Sequence, residues 1–215
     1  MSLRIAITVL CYFALPMAGA TLKVKTIDIG NAGKGLADVA VTVEQAGRQR
    51  TEHTDVNGNY SFNGLMAGQV TVKYEKVAYQ VAPSSPNSVQ VHEPSLPIVA
   101  EMFKEDKTDS AYAVRVFTYN QLRQEIAPSD MTEATAISIA SFATKLQRSI
   151  TTDSKPPTLA DLKPTREFST NGLADKLVKG ASEGFDISDQ KREKLVLQVQ
   201  GIPSDKKQPD KTYAK

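Results

Sequence analysis

The chain has 215 residues, with 26 Lys and Arg against 24 Asp and Glu and a formal net charge of +2. That near-neutral balance excludes broad electrostatic binding to nucleic acid or to an anionic membrane surface. One Cys, two His and no Trp exclude a disulfide framework and a Cys-ligated metal site, and argue against an indole platform for carbohydrate.

The N-terminus reads as a cleavable export signal covering residues 1–20. Arg4 is its single charge, Ile5 to Leu15 is an apolar run, Pro16 breaks a helix, and Met17-Ala18-Gly19-Ala20 supplies small residues in an A-x-A pattern. The run is shorter than the roughly 20 residues of a spanning helix. Cys11 lies inside it, behind the large residues Val9 and Leu10, which does not fit a lipoprotein site. Cleavage after about Ala20 then removes the sole thiol and leaves 25 basic against 24 acidic residues. The expected compartment is the periplasm or the extracellular space, with no membrane span in the mature chain. A chain of about 195 residues without disulfides must be held by one or two hydrophobic cores.

From Thr21 to Phe103 the pattern has period two. Val39, Val41 and Val43 alternate with Ala40 and Thr42, Tyr60 and Phe62 with Ser61 and Asn63, and Val70, Val72 and Tyr74 with Thr71 and Lys73. Each run offers one apolar and one polar face, as in half-buried antiparallel strands. Asn31 to Gly35 forms one turn, Asn57-Gly58 another, and Gly64 and Gly68 bracket a third. The spacing predicts a sandwich of about seven strands over residues 21–103.

These residues carry a resemblance. Gly35-Leu36-Ala37-Asp38-Val39-Ala40-Val41-Thr42-Val43, then Thr54-Asp55-Val56-Asn57-Gly58-Asn59-Tyr60-Ser61-Phe62, then Gly64-Leu65-Met66-Ala67-Gly68-Gln69-Val70-Thr71-Val72 and Tyr79 resemble the carboxypeptidase regulatory-like family. The likeness runs from about Thr21 to Tyr79. It departs where Ala37-Asp38 stands for a small residue followed by Gly, and where Ala78 stands for the Gly before Tyr79. The resemblance implies a transthyretin-like, immunoglobulin-like β-sandwich that serves as spacer, folding aid or contact surface and does not itself supply peptidase chemistry. Fold likeness of this kind speaks to architecture more than to function.

Lys104 to Asp109 is a charged linker, and residues 110–202 read as helical. Tyr112 to Ile126 fits a helix, although Val114-Arg115-Val116-Phe117 also fits a strand. Asp130 and Glu133 have the spacing of a capping box, followed by a stripe of Ile139, Phe142, Ala143, Leu146 and Ile150. Lys155-Pro156-Pro157 breaks the chain, and residues 158–186 show only short apolar patches. Ser188 to Gln200 forms a last helix with Ser188 as N-cap and Gly201 as stop. Residues 203–215 are polar and read as a disordered tail. The fold class is thus α+β with segregated regions: an all-β sandwich, then a mainly α-helical part.

The chemistry-bearing residues do not assemble into a motif. His53 and His92 are isolated, and H-E-x-x-H, G-x-S-x-G and both phosphate-binding glycine patterns are absent. Asp55, Asn57 and Asn59 alternate around Gly58, which invites calcium, but Gly58 is misplaced for the twelve-residue loop and no Glu closes it. These four residues read as a turn. Lys25, Glu75 and Asn87 have the types for an internal Lys–Asn cross-link, a role the strand alternation argues against. Tyr79 is the best candidate for an exposed contact. No catalytic, cofactor or metal residue is expected, and no cofactor.

The leading expectation is a non-enzymatic exported protein whose sandwich acts as an adaptor or binding module for a protein or glycan partner in the cell envelope. One alternative is a small enzyme or accessory domain in the helical half, marked by a cleft joining Glu133 to Asp161 or Glu167. Another is a surface or fibre subunit with an uncovered sheet edge.

Overall fold

The computed structural model describes residues 19–92, 94, 96–106, 108–162 and 172–202. The export signal up to residue 18, Glu167 and the tail from residue 203 lie outside the described residues.

Among the described residues nine strands form two sheets, where the sequence spacing predicts about seven; two of the nine have only two and three residues. They are β1 (Ala20–Asp28), β2 (Lys34–Gly35), β3 (Ala40–Gln45), β4 (Arg48–His53), β5 (Asn59–Leu65), β6 (Gly68–Glu75), β7 (Tyr79–Val81), β8 (Ser88–Val91) and β9 (Ile98–Lys104). In the five-stranded sheet β1 pairs antiparallel with β2 and β5 and, on its other side, parallel with β9, which carries β7. The second sheet is antiparallel in the order β4-β3-β6-β8. Period-two alternation sends Leu22, Val24, Val41, Val43, Phe62, Val70 and Val72 into the core between the sheets, each at most 2% exposed.

Four helices follow: α1 (Ser110–Gln124), α2 (Glu133–Thr151), α3 (Leu173–Ser182) and α4 (Asp189–Val199). They bury the second face of the five-stranded sheet. Ile27, Ile29 and Val99 share a core with Tyr119 and Leu122 of α1, Ile139 and Leu146 of α2 and Leu177 of α3. The α+β order read from sequence is therefore a three-layer stack, sheet on sheet on helices. β1 and β9 are the middle strands, with Val24, Ala100 and Met102 in one core and Ile27 and Val99 in the other.

Several helical details differ from the sequence reading. The helix read over Tyr112 to Ile126 is present as α1, so Val114 to Phe117 is helical and its strand alternative falls. The N-cap of α2 is Thr132, not Asp130: Pro128–Asp130 forms a separate 3-10 turn, and Thr132 Oγ1 accepts from Thr135 N at 3.2 Å. Glu133 becomes the first helical residue and its carboxylate turns to Lys25 Nζ, 3.1 Å away. The unread stretch 158–186 contains α3, which seats Leu173, Leu177 and Ala181 in the core. Gly180 is required there, because a Cβ would stand 2.2 Å from Phe117 Cζ of α1. The last helix matches its reading, with Ser188 Oγ accepting from Lys191 N at 3.2 Å and Gly201 at φ +79°.

Two non-glycine residues hold left-handed backbone where the resembled family carries Gly: Asp38 at φ +55° and Ala78 at φ +64°. For Ala this conformation costs about 1–2 kcal/mol, partly offset by the greater chain entropy that Gly loses on folding. Ala78→Gly is expected to raise stability by up to about 1 kcal/mol in urea unfolding. A decrease would mean that the turn carries no strain.

Candidate functional site

Among the described residues two carboxylates are buried, Asp28 at 2% exposure and Glu101 at 1%, both on the middle strands. Ions are kept in such places only when partners satisfy them. Asp28 Oδ1 accepts from Gly30 N at 2.9 Å and from Tyr112 Oη at 2.7 Å, and Oδ2 from Tyr79 Oη at 3.3 Å. Glu101 Oε1 accepts from Arg123 Nε at 3.1 Å, and Oε2 from Ser84 Oγ. Ser85 Oγ closes this knot by accepting from Glu101 N at 2.8 Å.

The partners from the helical layer come from one face of α1. Tyr112, Arg115, Tyr119 and Arg123 recur at intervals of three and four, so they line one side of the helix. Arg115 Nε donates to Gly30 O at 2.6 Å, and Tyr112 Oη accepts from Lys104 N at 2.8 Å. Gly30 allows this approach, since a Cβ there would lie 2.4 Å from the Tyr112 ring. Burial is the main cause that pushes the Tyr112 and Tyr119 phenols well above their ordinary range, and the Asp28 and Glu101 carboxylates add to it. Tyr112, Arg115 and Arg123 thus join the helical layer to the sheet, while Tyr79, Ser84 and Ser85 hold the same carboxylate strands from within the sandwich. The chemistry of this seam is that of a fastening, with no open face for a substrate.

The residues singled out from sequence lie apart. Tyr79 is half-buried on β7, with its hydroxyl on Asp28. Asp55 Oδ1 accepts from Asn57 N at 2.9 Å and Asn59 N at 2.8 Å, and Gly58 sits at φ +80°. The Asn59 amide chiefly holds the Asp55 carboxyl below its usual range. His53 Nδ1 lies 2.8 Å from Asp38 Oδ1 on the surface, and His92 is exposed elsewhere. Lys25, Glu75 and Asn87 do not meet: Lys25 pairs with Glu133, Glu75 is exposed on the other sheet, and Asn87 O accepts from Val72 N. Glu133 and Asp161 keep separate partners, since Asp161 Oδ2 accepts from Thr158 N at 2.8 Å. Among the described residues no group of three or more metal-ligating side chains converges.

Sequence reasoning missed the Glu101 knot, although its trace is visible as one acid within the apolar run from Ile98 to Phe103. It also missed a groove with a mainly apolar lining. Leu96 and Pro97, just before β9, face Met131, Ala134 and Ile137 across a groove of about 450 Å³. Leu96 is 82% exposed and Ile137 37%. The Lys25–Glu133 pair stands on its rim. At the other end of α2 a polar cleft of about 540 Å³ opens against α4.

No family model matches the chain, and no curated protein does. Solved structures that are similar over part of their length include three pilins. A Streptococcal ancillary pilin has 17% identity and a TM-score of 0.33, over 41% of this chain and 30% of that one. BcpA, the major pilin subunit of Bacillus cereus, has 15% identity and a TM-score of 0.32, over 42% and 31%. The group B streptococcus pilus 2b backbone protein has 14% identity and a TM-score of 0.31, over 40% and 41%. This chain spans less than half the length of each pilin it matches. Among the described residues no helix is long and apolar enough to cross a membrane.

Proposed function

We propose that the chain is an exported, non-enzymatic binding protein whose carboxypeptidase regulatory-like sandwich and helical layer jointly present an apolar groove to a protein partner in the cell envelope. The observation that carries this reading is the joint origin of the groove. Leu96 and Pro97 come from the sandwich and Met131, Ala134 and Ile137 from the helical part. Large aliphatic side chains left this exposed beside a well-filled core mark contact surfaces. The export address rests on the layout of residues 1–20. The family resemblance gains support from Asp38 and Ala78, whose backbone takes the conformation that Gly would take there without strain.

A second reading, a surface or fibre subunit, is supported by β8. Its four residues carry no charge and no Pro, and β6 is its one sheet neighbour among the described residues. One experiment separates the two. A photo-crosslinking residue is placed at position 96 or at position 90 of the exported protein. The binding reading expects a discrete heterologous product from position 96 that is lost when Ile137→Asp is added and after removal of residues 104–215. Products from position 90 containing a second copy, with none from 96, would replace that reading by the fibre one.

A further inference from the structure

The polar cleft at the far end of α2 offers chemistry that the groove lacks. Its walls are the loop Thr152–Pro156 and the first three turns of α4, and Pro156 and Leu195 are its only apolar lining residues. Three lysines line it from two elements: Lys155 from the loop, Lys191 and Lys194 from α4. The one acid in the lining, Asp153, has its Oδ1 3.8 Å from Lys191 Nζ and is otherwise open to solvent. Lys191 also donates to Thr152 O at 3.4 Å, which fixes it over the end of α2. Lys155 and Lys194 are both exposed, and Lys194 makes no ion pair among the described residues. Three lysines against one acid give the lining a net positive charge, which an anion bound there would offset.

The remaining lining groups fix the class of ligand. Ser154, Gln190 and Gln198 add hydroxyl and amide groups that can both donate and accept. A volume of about 540 Å³ is that of a small-molecule site rather than of a single ion. We infer that this cleft binds a polar, hydroxyl-rich ligand carrying a phosphate or carboxylate group, with Lys155 and Lys194 on the anion and the amides and hydroxyls on the rest. The site is independent of the groove. It lies at the opposite end of a 19-residue helix, about 27 Å long, and needs no partner protein.

The test uses the full chain, 15N-labelled, at low ionic strength, where such contacts are least screened. It is titrated separately with inorganic phosphate, sodium glucuronate and neutral glucose. The expected result is saturable shifts of amides near 153–155 and 188–198 with an anionic probe, at a Kd of about 1 mM or tighter, and none with glucose. Saturation by phosphate alone selects a phosphorylated ligand and by glucuronate alone an acidic sugar, and either supports the site. Lys155→Gln/Lys194→Gln should weaken binding at least about tenfold while leaving the circular dichroism spectrum unchanged. Leu96→Asp/Ile137→Asp should leave it intact, so failure of the groove reading would not disturb this result. Shifts that do not saturate, or that appear equally around Lys176 and Lys179 of α3, would overturn the proposal.

Discussion

Glu101→Ala is expected to lower unfolding free energy by about 3–5 kcal/mol, among the largest losses that one substitution causes in this chain. The carboxylate is 1% exposed and the Arg123 side chain 12%, so removing the acid leaves a guanidinium with little access to water. Ser84 loses its carboxylate partner in the same step, whereas Ser85 keeps its bonds to the Glu101 backbone. The cost therefore measures the stranded groups, not the intrinsic worth of the pair. Glu101→Leu combined with Arg123→Met should recover most of the loss, because apolar groups of similar volume meet no desolvation penalty. Urea unfolding of both single variants and the double variant completes the cycle. A loss below about 1 kcal/mol for Glu101→Ala would show that water reaches the pair and that the seam is not a closed fastening.

How far the sequence discloses this arrangement depends on the range of the interaction. Local rules act within a few residues, and the features they govern are legible: the Ser188 cap and Gly201 stop of α4, the Asp55 turn, the alternation of Val70, Val72 and Tyr74. The cap of α2 is a near miss of the same kind. Asp130 and Thr132 both suit an N-cap, and Pro128 decides between them by starting its own turn. The third layer is a long-range fact, yet it leaves a mark in β1. Leu22 and Val24 set an apolar face that continues as Thr26 and Asp28, while the opposite face changes from Lys23 and Lys25 to Ile27 and Ile29. That change of phase records where the helices begin to cover the sheet. The groove is harder to read, because Leu96 and Ile137 are brought together only by the packing of α2 beside β9. Neither belongs to a periodic stripe, so no pattern in the chain singles them out.

Leu146→Ala should cost about 2–5 kcal/mol, and its effect should extend beyond the helices. Leu146 is fully buried in the core that also holds Ile27, Ile29 and Val99. Those three residues lie on or beside β1 and β9, whose other faces build the core between the sheets. A cavity at Leu146 therefore weakens the support of the strands that both cores share. Native-state hydrogen exchange reads this residue by residue. The expected outcome is a common loss of protection at α2 amides and at Ile27, Val99 and Met102, since the middle strands cannot keep full stability with one face loosened. The contrary outcome is equally specific. If the loss stops at α1 to α4 and the strand amides keep their protection, then residues 21–103 fold as a unit of their own behind the charged linker. A groove built from both parts would in that case open and close with the docking of the helical layer, and the partner would sense that equilibrium.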